Sequence, residues 1–120
     1  MIFLNALDSR PIYEQVVERF KLLILKGVII PDEKIPSVRN MAVDLSLNPN
    51  TIQRAYAELE RQGYIYTVKG KGNFAADSAG LLLQFKKEIL EQIREICEMA
   101  VSVGITEEEI VEGIRKRRDL

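Results

Sequence analysis

The fold is decided by the stretch Asn48-Pro49-Asn50-Thr51-Ile52-Gln53-Arg54-Ala55-Tyr56. Asparagine followed by proline is typical of a helix N-cap and of the first helical position. Apolar residues then recur at helical spacing, and they are Ile52, Ala55, Tyr56 and Leu59. They predict the buried face of a helix that begins after Asn48 and ends at Gly63.

The polar residues of this helix fall outside its apolar face. We therefore expect Asn50, Thr51, Gln53 and Arg54 to point outward. Asparagine and glutamine can pair with adenine, arginine with guanine or phosphate, and threonine with bases or phosphate. Taken alone, the segment also fits an ordinary capped, polar helix surface, so the neighbouring elements must decide.

A shorter helix is predicted just upstream, capped by Ser37. Its inner face carries Val38, Met41, Ala42 and Leu45, and Ser46-Leu47 leaves room only for a tight turn. Arg39 lies in the first turn of this helix, where free backbone amides attract phosphate. Arg39 is thus a candidate phosphate or base contact, and the alternative is a surface ion pair with Asp44.

The first helix is predicted to start near Pro11, with Asp8 or Ser9 available as its cap. A stripe at spacings of four residues marks its inner face, formed by Ile12, Val16, Phe20 and Ile24. Gly27 ends the helix, Pro31-Asp32 forms a turn, and Lys34-Ile35 is a candidate for a very short strand.

The periodicity becomes extended after Gly63. Residues 64–75 predict a β-hairpin whose tip is the basic, glycine-rich turn Lys69-Gly70-Lys71-Gly72. Lys69, Gly70 and Lys71 are candidate DNA contacts, because glycine allows close backbone approach and lysines bind phosphates. The aromatic residues of this region are expected to pack internally rather than stack on bases, and they are Tyr56, Tyr64, Tyr66 and Phe74.

The predicted elements follow the order of a winged helix-turn-helix: two helices, a tight turn, a third helix and a basic hairpin. The predicted fold class is therefore mainly α with a small β-hairpin wing, followed by a C-terminal helical tail. One helix fits the major groove, with its N-terminal residues at the base edges. The candidate DNA-binding residues are Ser37, Arg39, Asn48, Asn50, Thr51, Gln53, Arg54, Lys69, Gly70 and Lys71.

The chain divides into a DNA-binding domain at residues 1–77 and a two-helix dimerisation tail at residues 78–120. A lone helix with an apolar stripe must bury it, and two copies can do so around a two-fold axis. The candidate dimerisation residues are Leu82, Phe85, Ile89, Ile93, Ile96 and Ala100. The alternative is a tail that folds back on its own domain. Thr106 and Glu109 predict a capping box for the last helix.

Composition excludes several classes of protein. The 120 residues contain no histidine and one cysteine, so the usual catalytic triads, most zinc sites and a disulfide scaffold are ruled out. We expect no enzyme activity, no cofactor and no metal. With no signal peptide or membrane span expected, the predicted location is the cytoplasm. The net charge is −1, but residues 34–73 hold six basic and three acidic side chains.

Three runs in the sequence resemble the GntR family of bacterial repressors, and the short tail looks like its YtrA-like branch. The runs are Ile35-Pro36-Ser37-Val38-Arg39-Asn40-Met41-Ala42, the stretch 48–56, and Leu59-Glu60 with Gly63-Tyr64-Ile65. The resemblance implies a winged-helix repressor that dimerises on an inverted-repeat operator. It also implies DNA contacts from Arg39, from the start of the recognition helix and from Gly70.

The chain departs from the family pattern at two positions. Many relatives carry arginine where this chain has Pro49 and Gln53, which suggests a different operator sequence. The tail is too short for the large effector domain of other branches, and whether a small-molecule effector binds this chain is left open by the sequence. YtrA-like relatives often control transporter operons. The alternative function is a winged-helix module that binds protein rather than DNA.

Overall fold

The computed structural model describes residues 4, 5 and 7–117. Within these residues the elements are α1 (Ile12–Leu25), α2 (Val38–Leu45), α3 (Pro49–Arg61), β1 (Ile65–Val68), β2 (Gly72–Ala75), α4 (Ala79–Ser102) and α5 (Glu107–Lys116). The backbone forms two compact units, one ending at Leu82 and the other beginning at Leu83. None of the described helices is both long enough and apolar enough to span a bilayer.

The predicted span of α1 is confirmed, but its predicted cap is wrong. Pro11 occupies the N-cap position and no side chain caps the helix. The Asp8 carboxylate is engaged elsewhere, because it accepts bonds from the backbone and guanidinium of Arg10. At the other end, Gly27 adopts a left-handed φ of 76° directly after the C-cap Lys26, as the sequence predicts.

Both helices of the predicted helix-turn-helix begin at the expected caps. The backbone N–H of Asn40 donates to Ser37 Oγ at 3.1 Å, and that of Asn50 donates to Asn48 Oδ1 at 2.8 Å. Each cap satisfies an amide that the helix itself leaves without a partner. Ser46 ends α2 in the left-handed region, at φ 54°, so the chain reverses within the short segment before Asn48.

The predicted hairpin forms, with β1 and β2 antiparallel and in register from Ile65↔Ala75 to Val68↔Gly72. The short strand expected at Lys34-Ile35 is reduced to a single bridge between Lys34 and Phe74. Three backbone bonds hold this segment to β2: Asp32 N–H donates to Ala75 O (2.8 Å), Ala75 N–H donates to Glu33 O (2.9 Å), and Ile35 N–H donates to Asn73 O (2.9 Å). The wing is therefore anchored at its base.

The core of the first unit fixes the orientation of α3. The largest side chains with almost no exposed surface are Val16, Phe20, Ile24, Ile52 and Leu59. Phe20 of α1 meets Tyr56 of α3 edge to face, with ring centroids 5.5 Å apart. The Tyr56 hydroxyl donates to Pro36 O at 2.8 Å, and burial raises the pKa of this phenol above its ordinary value. The predicted inner face of α3 is thus confirmed.

The second unit contains most of α4 and all of α5. The Thr106 hydroxyl oxygen accepts the backbone N–H of Glu109 at 3.1 Å, so the predicted cap of α5 is present. Gly104, at φ 88°, follows the end of α4 as expected. Every residue of α4 is among those described, and none of them is buried.

Candidate nucleic-acid interface

The N-terminal edge of α3 presents polar side chains to solvent. Asn48, Asn50, Gln53 and Arg54 are exposed and Thr51 is half-buried, while the apolar face of the same helix is buried in the core. The Asn48 side chain is partly committed to capping, because its Oδ1 already accepts the Asn50 amide. The remaining amide and guanidinium groups can donate to and accept from base edges or phosphates.

The N-terminus of α2 adds a second set of exposed donors. Ser37 and Arg39 are both exposed there. Across residues 4, 5 and 7–117, no ion pair engages Arg39, so the alternative pairing with Asp44 does not form. A guanidinium beside the positive end of a helix dipole suits an incoming phosphate.

The wing tip is a tight basic turn. Lys69 and Lys71 are exposed, and the backbone N–H of Lys71 donates to Val68 O at 2.9 Å. Gly70 has a φ of 78° and Gly72 a φ of 122°, a region that L side chains rarely adopt. A Cβ at Gly72 would also lie only 3.0 Å from Lys34 Cε. Glycine at position 72 therefore leaves room for the Lys34 side chain to pass close to the backbone of the wing.

Lys34 is a cationic residue that the site prediction omitted. A Cβ placed on Gly72 would lie 3.8 Å from Lys34 Nζ, so the ammonium lies beside the last residue of the tip turn. The sequence contained one signal for it, namely a basic residue directly before the Ile35-Pro36-Ser37 run. Its proximity to the wing depends on the long-range bridge to Phe74, which local pattern does not reveal.

Two side-chain contacts flank α3, and neither was predicted. On the α1 side, Arg54 Cζ lies 3.8 Å from the centroid of the Tyr13 ring. On the wing side, the Thr67 hydroxyl bonds to the Glu60 carboxylate and lies 2.7 Å from Asn73 Oδ1. These contacts connect the outer surface of α3 to its two neighbours.

The last arginine of α3 is engaged locally. Arg61 Nε donates to the Glu58 carboxylate at 2.9 Å, and this hydrogen bond lowers the Glu58 pKa to about 2. Glu58 also accepts a bond from Gln62. Arg54 has no ion pair within the described part of the chain. The guanidinium of Arg54 is therefore available to a ligand such as phosphate, whereas that of Arg61 is already paired.

The internal packing expected of the aromatic residues is confirmed for Tyr56 and Tyr64 but is wrong for Tyr66, which is 37% exposed. Tyr56 and Tyr64 are buried, and Tyr66 stacks on Phe74 with ring centroids 5.7 Å apart. The Tyr66 hydroxyl donates to Asp32 Oδ1 at 2.7 Å, and this bond raises the Tyr66 pKa above its ordinary value. The Tyr66–Phe74 stack packs within the wing, and the expectation that no base stacks on these rings stays a prediction.

Comparison with known proteins decides which family carries this arrangement. The model of the bacterial regulatory proteins of the gntR family matches residues 12–74, which span α1 to the end of the wing. The chain belongs to the GntR family. It is a DNA-binding transcriptional regulator with a winged helix, and it is not an enzyme. The resemblance expected from the sequence is confirmed.

GntR relatives match the tail as well as the winged domain. The HTH-type transcriptional repressor YtrA of Bacillus subtilis is 39% identical over 118 residues, which cover 97% of this chain and 91% of that protein. A GntR family transcriptional regulator from Listeria monocytogenes superposes with a TM-score of 0.77 at 38% identity, covering 91% of this chain and 96% of that one.

Structures similar to this chain have also been solved in complex with operators. AraR(DBD) in complex with operator ORX1 superposes with a TM-score of 0.55 at 36% identity. The match covers 62% of this chain and 92% of that one. The winged-helix part of this chain therefore resembles a domain that binds an operator.

Proposed function

We propose that this protein is a homodimeric repressor that binds an inverted-repeat operator. In this proposal α3 enters the major groove, and the wing and the start of α2 contact the phosphate backbone. The observation that carries it is the exposed polar N-terminal edge of α3 beside a cationic wing. The YtrA relative, itself named a repressor, supports the direction of regulation. A YtrA-like repressor would act in the cytoplasm, on a transporter operon.

The same proposal divides the candidate contacts by chemistry. Asn50, Thr51 and Gln53 are placed at base edges, because amide and hydroxyl groups discriminate bases in the major groove. Ser37, Arg39, Lys69, Gly70 and Lys71 are placed at the backbone, where backbone amides and cations bind phosphate. Asn48 caps α3 and presents its remaining polar atoms at the same edge.

The dimer is proposed to form through the tail at residues 78–120. The stripe on α4 is incompletely covered: Leu82, Ile89, Ile93 and Ile96 are exposed, while Phe85 and Ala100 are half-buried. Apolar surface of this extent on one helix favours burial against a second copy. A two-fold dimer would present two α3 helices to half-sites about one or more DNA turns apart.

The decisive experiment is selection of bound fragments from the host genome by the purified protein. We expect enrichment of a short palindrome, with half-sites protected from cleavage on one face of the DNA. Binding should weaken steeply as salt rises, because lysine and arginine contacts release counterions from phosphates. A salt-insensitive interaction with a protein, and no enriched DNA, would instead support the adaptor function.

Replacing Gln53 tests the base-reading part of the interface. We expect Gln53→Ala to weaken binding to the selected operator by about 1–3 kcal/mol and to broaden the accepted base at one position per half-site. The measurement is a titration against all four bases at each operator position. Gln84→Ala, which removes an exposed glutamine from α4, serves as the matched control. Equal losses on every sequence would place Gln53 at a phosphate.

Replacing the wing lysines tests the backbone contacts. We expect Lys69→Ala and Lys71→Ala each to weaken binding to operator and random DNA alike, and to reduce the salt slope by about 0.9. Lys26→Ala is the control, because it removes an exposed lysine far from the N-terminal edge of α3. Lys21 Nζ bonds Gln62 at 2.9 Å, so the C-terminal half of α1 lies beside the C-terminal end of α3. An unchanged salt slope in both wing variants would remove the wing from the interface.

A further inference from the structure

We propose that Arg54 binds a backbone phosphate rather than a base, and that Tyr13 is the residue that positions it. The inference rests on the proposed insertion of α3 into the major groove. It assigns a function to the start of α1, which the site prediction did not include.

The contact between the two side chains is close. Arg54 Cζ lies 3.8 Å from the Tyr13 ring centroid, so the guanidinium rests against the ring. The ring is held in place, because Tyr13 is half-buried against the hydrophobic core. Its hydroxyl donates to Glu14 Oε1 at 3.3 Å. Arg54 itself is exposed, and it forms no ion pair with any described residue.

This geometry leaves the guanidinium edge available. A ring stacked on one face of the planar guanidinium does not occupy the N–H donors, which point along its edge. Stacking also restricts a long side chain that would otherwise sample many rotamers before binding. The donors that remain match the fork geometry of a phosphate.

The location of Tyr13 indicates which part of DNA Arg54 would meet. Tyr13 lies in the first turn of α1, so the stack draws Arg54 toward the α1 flank of α3. Gln53 is not drawn to that flank, because it lies on the part of α3 that lines a depression together with Val38, Thr67 and Asn73. A helix in the major groove has its base-reading edge at the floor and a phosphate backbone along each flank. Arg54 therefore faces a backbone.

The test uses two DNA duplexes of equal length. One carries a sequence selected by the wild-type protein from a random library, and the other has the same composition in scrambled order. We expect Arg54→Ala to weaken binding to both duplexes by a similar factor and to lower the salt slope by about 0.9. A loss confined to the selected duplex would overturn the phosphate assignment.

The positioning role is tested by a double-mutant cycle. We expect Tyr13→Leu to weaken binding about two- to fivefold in the wild-type background, and to have no further effect in the Arg54→Ala background. Tyr13→Phe, which retains the ring, should bind like the wild type. An equal loss from Tyr13→Leu in both backgrounds would show that the ring acts only through packing and would overturn the proposal.

A second variant at position 13 separates stacking from packing, and the scrambled duplex separates Arg54 from operator binding. Tyr13→Met provides a second variant, because methionine fills apolar space without offering an aromatic face. It should behave like Tyr13→Leu if stacking positions Arg54, and like Tyr13→Phe if it does not. Failure of the selection would contradict the proposed operator binding, whereas the scrambled duplex would still test Arg54, since non-specific binding depends on phosphates.

Discussion

Replacing Ile89 and Ile93 together with glutamate will yield a monomer that binds the operator about 10²–10⁴-fold more weakly than the wild type. The two isoleucines lie one helical turn apart on the α4 stripe and are 37% and 51% exposed in the single chain. Two carboxylates in a dimer interface would be buried without partners, which opposes association. Each monomer would then hold a single half-site and lose the gain from simultaneous binding.

The control variant adds the same charge to the other side of α4. Gln84 and Ser102 each lie about two and a half helical turns from Ile93, hence on the opposite face, and both are exposed. Gln84→Glu with Ser102→Glu should remain dimeric and bind normally. Sedimentation velocity gives the mass, and titration of the operator gives the affinity. If the Ile89/Ile93 variant remains a dimer, the α4 stripe is not the dimer interface, and the alternative that the tail packs on its own domain is favoured.

Phe20→Ala will destabilise the winged domain by about 3–5 kcal/mol. Phe20 is completely buried, and its ring meets the edge of Tyr56 at 5.5 Å. The substitution leaves a cavity between α1 and α3 and also removes the aromatic pair. Because domains of this size are stable by only about 5–15 kcal/mol, this loss is a large part of the free energy of unfolding.

Urea unfolding followed by circular dichroism measures this effect. Val43→Ala is the control, because Val43 is 73% exposed and its truncation should shift the stability by less than about 0.5 kcal/mol. Phe20→Leu should fall between the two, since it retains most of the apolar volume. A midpoint for Phe20→Ala within error of the control would mean that the α1–α3 contact does not hold the core together.

Local sequence signals were sufficient for much of the fold. The caps Ser37 and Asn48, the apolar spacing of α3 and the glycines after α1 and α3 each act within a few residues. Physical causes of such short range are visible in one sequence. The outward residues of α3 follow from the same periodicity, because the polar positions lie off the buried face, although Thr51 is half-buried. The DNA and dimer roles of these residues stay predictions.

The contacts that organise the interface were not visible in the sequence. Three such contacts join residues that only the folded chain brings together. They are Tyr13 with Arg54, Glu60 with Thr67, and Lys34 with Gly72. The missed cap of α1 has a different cause. Asp8 has the right chemistry, but Arg10 competes for its carboxylate and the helix starts after Pro11. Composition alone does not show which partner wins.

The burial of the Tyr56 hydroxyl, which donates to the Pro36 carbonyl, sets an alkaline limit for the helix-turn-helix. Burial raises the pKa of this phenol, whereas in the unfolded chain it ionises near its ordinary value of about 10. Below that value the unfolded and folded states hold the same proton, and pH has no effect through this group. Above it, only the unfolded state releases the proton, so rising pH draws the population toward unfolding. Tyr56, which bonds α3 to the segment just before α2, thus also makes the packing of these two helices less stable at alkaline pH.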